Sequence, residues 1–268
     1  MGTAMTEYKK KMAKKASQYA DEETSSGQFF STAGGILMLG EEGFPGNEML
    51  VIILDGLHEN TYYDGVYDSE NKLPPRCFSF GREEKEMQPH DNIPDPEDEA
   101  AEESYFEMQV DPDEDGGVWC DQCPHNQWGS AKVGRGKACS NRRRLAIIPA
   151  GRFVPSKNKR EAPEMEVFDD PKHFNKADLL FLKTPPTSTK AWGTYVHMLN
   201  RDHQLPPFGV ITCISVVPDP NDQFHIEYEC IEVIEDEDIL KILMKRNVEA
   251  MDVIEQAYDE PSADDMDQ

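Results

Sequence analysis

Cys120 and Cys123 form a Cys-x-x-Cys pair inside the stretch WCDQCPHNQWGSAKVGRGKACSNRRRLAIIP, residues 119–149, which also holds Cys139. Such a pair on a tight turn aims both sulfurs at one point, which suits a tetrahedral metal such as zinc. The same spacing serves thiol–disulfide exchange when it opens a helix after a strand. Here Pro124 follows the second cysteine, and His125 to Ser130 read as loop, which favours metal over redox chemistry. Zinc needs a fourth ligand. Cys77, in the proline-bounded segment PPRCFSFG, is the best candidate, with His125 and His90 as substitutes. The competing reading is a set of reduced cysteines packed in a core.

The same stretch opens the one long basic region of a very acidic chain. Net charge is -25, from 52 acidic and 27 basic residues among 268. Between Asp121 and Glu161 there is no Asp or Glu, while Lys132, Arg135, Lys137, Arg142, Arg143 and Arg144 all fall there. Acid concentrates from Glu83 to Asp115 and again after Asp219. Local field therefore says more about partners than total charge does. Six cysteines without a secretory leader point to a reducing compartment. No run approaches the roughly 20 apolar residues that a membrane span requires, so no membrane partner is expected.

Along the chain, residues 1–27 read as a polar, basic leader, either a short helix or a flexible arm. Short apolar runs bounded by Gly and Pro follow, such as MLVIIL at 49–54, and read as strands. Residues 83–117 are acidic and proline-bearing, a composition that predicts a surface insertion. Arg144–Ile148 and Asp178–Leu182 are predicted strands. A helix starts after Pro185, capped by Thr187 or Ser188, with Trp192, Tyr195, Val196 and Leu199 on one face. Phe208–Val217 and Gln223–Ile234 flank a PDPND turn and predict a hairpin. The C-terminal helix is expected over 235–258, with Ile239, Leu243, Met251 and Ile254 buried, and residues 259–268 as a disordered acidic tail.

Catalytic patterns are missing. The GRGKA segment fails the phosphate-loop spacing, since Arg135 stands where Lys is needed. There is no G-x-S-x-G and no H-E-x-x-H, and WCDQCP lacks the proline and upstream His-x-Glu of a zinc deaminase. The chain does not read as an enzyme. Binding remains: Lys132, Arg135, Lys137 and Arg142–Arg144 supply charge, while Trp128, Tyr62 and Tyr63 supply stacking surfaces. A basic groove with aromatics on strands is how single-stranded nucleic acid is held.

CDQCPHNQWGS followed by GRGKACSNRRRLAII, together with PPRCFSFG and LKTPPTSTKAWGTYV, resembles a family of small bacteriophage proteins with a Cys-x-x-Cys. The resemblance spans roughly residues 28–234. It implies a role similar to phage single-stranded DNA-binding proteins in replication or recombination, in the cytoplasm of an infected bacterium. It also implies Cys77, Cys120, Cys123 and Cys139 as zinc ligands. The acidic C-terminus resembles tails that recruit phage or host replication proteins, although it ends Asp267-Gln268 rather than in a hydrophobic pair. The expected fold is α+β and mainly β: an OB-like barrel over 28–234 with the acidic insertion, a zinc-stabilised loop at 119–149 and a C-terminal helix. Two alternatives are an acidic phage inhibitor or DNA mimic that binds a host protein, and a zinc-containing transcription regulator.

Overall fold

The computed structural model describes residues 29–32, 35–39, 42–63, 75–90, 119–132, 134–154, 163–220 and 223–255. The expected leader, most of the acidic insertion and the acidic tail lie outside the described residues. The fold is mixed α+β and mainly strands. Its spine is β4, Glu48–Tyr62, where Met49 to Leu54 are all buried. A strand buried on both faces reads as a continuous apolar run rather than an alternating one, which is why MLVIIL stands out in the sequence.

β6 (Ser140–Pro149) pairs antiparallel along one edge of β4. The other edge is shared. β10 (Val210–Asp219) takes its start and β5 (Cys77–Gly81) its end. The hairpin partner β11 (Gln223–Val233) lies outside β10. Beyond β6 come β9 (Leu180–Thr184) and the short strands β1 (Phe29–Ser31), β2 (Met38–Leu39) and β3 (Glu42–Gly43). Only β1 and β9 run parallel among the described pairs. β7 (Gly151–Val154) and β8 (Glu164–Val167) form a separate two-stranded ribbon.

The OB-like barrel is corrected here. Among the described residues the nine-stranded sheet stays open, with β11 at one end of its order and β3 at the other. Closure needs edge strands long enough to pair, and β3 has two residues.

Strand alternation builds two cores. Met49, Val51, Ile53, Leu145 and Ile147 face one side, where α2 (Thr189–Asp202) packs Trp192, Tyr195 and Leu199. Leu50, Ile52, Leu54, Ala146 and Ile148 face the other, where α1 (Pro171–Lys176) contributes Phe174 and α3 (Glu237–Val253) contributes Ile239, Leu243 and Ala250. Asp236 caps α3 by accepting from the amides of Asp238 and Ile239 at 2.8 and 3.0 Å. Such a cap contributes about 1 kcal/mol. Ser188 precedes α2 but does not cap it; its hydroxyl accepts the amide of Ile226 at 2.8 Å and ties the helix start to β11. Met251, expected in the core, is 45% exposed, because Ala250 takes the inward position beside Ile254.

One ionic contact sits inside this frame. Glu59, fully buried on β4, accepts from the Arg144 guanidinium at 2.7 Å, with Lys183 Nζ at 3.8 Å. The Arg144 guanidinium also lies 4.3 Å over the Phe80 ring and donates to the carbonyl of Ile254 at 3.1 Å. Burial is the main cause that pulls the Lys183 ammonium down to about 8, partly opposed by Glu59. Removing one partner of a buried pair leaves an uncompensated charge and costs about 3–5 kcal/mol. Arg144→Met is therefore expected to lower unfolding free energy by about that amount in urea titrations. Arg144→Met with Glu59→Gln should recover most of it. A loss of under about 1 kcal/mol for the single variant would show that the pair is not structural.

Candidate metal centre and nucleic-acid interface

The end of β4 gathers the cysteines. Tyr62 stands opposite Cys77 on β5, and Thr61 stands opposite Ser140 on β6, so Cys77 and Cys139 arrive on either side of the same strand end. The segment 119–123 turns tightly, with the amides of Gln122 and Cys123 both donating to the Trp119 carbonyl at 2.8 and 3.0 Å. The Cys120 amide donates to the Met87 carbonyl at 2.9 Å, and the buried Asn126 side chain donates to the Cys120 carbonyl at 2.6 Å. The Cys139 amide donates to the His125 carbonyl at 2.8 Å, which locks the returning chain onto the turn.

Cys77, Cys120, Cys123 and Cys139 line one apolar cavity of about 20 Å³, walled also by Tyr62, Phe78 and Pro89. All four are free thiols. Burial, followed by the neighbouring Cys120, Cys139 and Cys123, pushes the Cys77 thiol strongly up. Burial likewise pushes Cys139 up to about 12, with Cys120 and Cys123 adding to it. Cys120 is raised mainly by burial, against a hydrogen bond from its thiol to Ser79 Oγ at 3.2 Å. Four sulfurs thus lie within electrostatic reach of one another, and no carboxylate among the described residues lines the cavity. As they stand, no group of three or more His, Cys, Asp or Glu among the described residues is set to hold a metal ion.

Donor chemistry and size nevertheless fit a soft, tetrahedral ion: four thiols, no carboxylate among the described lining residues, and space for about one water-sized sphere. The two histidines both stack on aromatic rings, and His125 also lines the cavity. His125 stacks on Tyr62 at 4.2 Å between ring centroids, and His90 stacks on Phe78 at 4.8 Å.

The basic residues divide. Arg144 is 1% exposed and paired with Glu59, so it cannot meet a phosphate; that expectation is overturned by burial. Arg143 points to the opposite face of β6, as alternation requires, and burial lowers its guanidinium from the usual value. Arg142 is half-buried, its Nε donating to Ser140 Oγ at 2.9 Å. Tyr62 is buried under the thiol cavity, which removes it as a base-stacking surface. Lys132 and Arg135 are exposed, Tyr63 is 39% exposed, and Trp128 is 80% exposed.

A second, polar cleft of about 180 Å³ opens beside the cavity, lined by Trp128, Lys137, Asn126, Asn141, Glu84 and Asp121 among others. Lys137 Nζ donates to Asn126 Oδ1 at 3.1 Å and to Asn141 Oδ1 at 2.8 Å. Asn141 in turn donates to Asn60 Oδ1 at 2.6 Å. Single asparagines on a loop and two strands carry no periodic pattern, so nothing in the sequence marks this network.

His58, next to this region on β4, lies 3.2 Å from Glu84 Oε1. Burial, then Arg143, lower its imidazole to about 4, with Glu84 opposing. An unfolded histidine takes its proton near 6.5, so the unfolded chain binds more protons between about 6.5 and about 4. This residue's contribution to stability is present above that window and is lost as pH falls through it. In an NMR titration the His58 ring signals should stay constant from pH 8 to pH 5.5. A midpoint near 6.5 would contradict this placement.

No protein-family model matches this chain, and no curated protein or solved structure matches it.

Proposed function

We propose that this chain binds single-stranded DNA with the lobe 119–139, and that a zinc ion on Cys77, Cys120, Cys123 and Cys139 holds the lobe to the end of β4. The observation that carries the reading is Trp128. It is 80% exposed on a loop whose backbone is otherwise tied down. Tryptophan is highly buried on average, so an exposed one on a fixed loop is a surface kept for a partner. Exposed Lys132 and Arg135 follow it closely in sequence, and Lys137 is held beside it. Aromatic stacking with nearby cations suits single strands, whose bases are free to stack.

Bound zinc would supply a structural cross-link and would convert the buried thiols to thiolates. The residues themselves do the binding: Trp128 offers a stacking face, and Lys132 and Arg135 neutralise phosphates. Acid elsewhere repels the backbone and confines a strand to this face. The role in phage DNA replication or recombination, in the cytoplasm of an infected bacterium, comes from the family resemblance. So does recruitment of phage or host replication proteins by the acidic tail. We read a binding protein rather than an enzyme.

Fluorescence anisotropy with labelled single- and double-stranded oligonucleotides tests this reading. The purified chain should carry one zinc and prefer single strands. Log affinity should fall against log salt with a slope of about -0.7 per neutralised phosphate. Lys132→Ala and Arg135→Ala should each flatten the slope by about one contact. Removing zinc with a chelator should abolish binding and lower the melting temperature together. Stoichiometric metal absent from protein prepared under reducing conditions would sink the zinc assignment. No binding at low salt would sink the DNA assignment and favour the inhibitor alternative.

A further inference from the structure

We infer that the polar cleft beside the thiol cavity is a nucleobase subsite, and that it selects the bases carrying an exocyclic amino group, cytosine, adenine and guanine, over thymine. The inference rests on the single-strand reading and adds to it a chemistry of base choice. Three features of the cleft carry it.

The first is a flat wall. Trp128 lines the cleft and is 80% exposed, so its indole is available to stack. The second is a donor that cannot swing away. Lys137 Nζ gives two of its three protons to Asn126 Oδ1 and Asn141 Oδ1, which leaves one N–H for a ligand. Those amides are themselves anchored. Asn126 donates to the Cys120 carbonyl at 2.6 Å, and Asn141 to Asn60 Oδ1 at 2.6 Å. The donor is therefore positioned from the cysteine turn itself. The third feature is a pair of exposed acceptors, the carboxylates of Glu84 and Asp121, in the same cleft.

Two carboxylates against one ammonium make the cleft net negative, which is unfavourable for a phosphate. The strand's backbone is thus left to Lys132 and Arg135 outside it. A base edge meets the cleft differently. Carboxylates accept well from amino groups such as cytosine N4, while the lysine donates to a ring nitrogen or carbonyl. Cytosine presents an amino group next to ring N3 and O2, adenine presents N6–H₂ next to ring N1, and guanine presents N1–H and N2–H₂ next to O6. Thymine presents two carbonyls around a single N–H, so one carbonyl would be turned toward a carboxylate. Unpaired or repelled polar groups in a cleft are what generate discrimination between otherwise similar ligands.

The test compares oligo(dC) and oligo(dT) of equal length at matched salt and pH 7.5, read by anisotropy and by quenching of tryptophan fluorescence. The expected result is about tenfold tighter binding of oligo(dC), the size of one good base contact. Glu84→Gln and, separately, Asp121→Asn should each shrink that ratio. Asp121 is on an exposed turn, so its variant tests the idea even if Glu84→Gln disturbs His58. Trp128→Ala should abolish most of the quenching. Equal affinity for both oligonucleotides, or a ratio unchanged in both carboxylate variants, overturns the base subsite while leaving single-strand binding in place. Failure of the wild type to bind either oligonucleotide overturns both.

Discussion

The register at the end of β4 is the constraint on which the site depends. Tyr62 opposite Cys77 and Thr61 opposite Ser140 deliver two cysteines from strands far apart in sequence to one point. A shift of one residue in either ladder would turn the adjoining side chains to the other face of the sheet. The register is itself secured further down the strand, where both faces of β4 are packed and neither can slip to solvent. Core packing thus sets the geometry of the thiol cavity. The turn at 119–123 only has to bring the remaining pair to a place already made.

Glu59 is the second determinant, and it explains why the basic run does not act as one surface. Three consecutive arginines on a strand cannot share a face. Arg144 turns to the buried carboxylate, Arg143 to the opposite side near His58, and Arg142 stays half-buried at the strand's open end. The exposed cations are then those on the loop, Lys132 and Arg135. Burying Glu59 with Arg144 and Lys183 is costly unless the groups are well paired, and this contact fastens β4, β6, β9 and the end of α3 around one carboxylate.

Much of the strand content was legible, for reasons seen in particular segments. MLVIIL is apolar without alternation because β4 is buried on both faces, and the PDPND turn marked the β10–β11 hairpin. The apolar face of α2 followed from Trp192, Tyr195 and Leu199 at helical spacing. Sheet closure was not legible, since local pattern does not say which edges meet, and the sheet is open where a barrel was expected. Cys77, Cys120, Cys123 and Cys139 line one cavity, yet no group of three or more His, Cys, Asp or Glu among the described residues is set to hold a metal ion. The arginines misled because composition reports charge but not strand alternation. The asparagine network around Lys137 was invisible, since its members come from three separate segments and meet only in the folded chain.

In the proposed function, one lobe pinned to the end of β4 makes the contact with single-stranded DNA. Hydrogen–deuterium exchange of the full chain, with and without a saturating single-stranded oligonucleotide, tests it most directly. Slowed exchange should fall on residues 119–144 and on the facing segment around Glu84, with α3 and the β7–β8 ribbon unchanged. Protection confined to α3 or to the outer face of β11, with none on the lobe, would contradict the account.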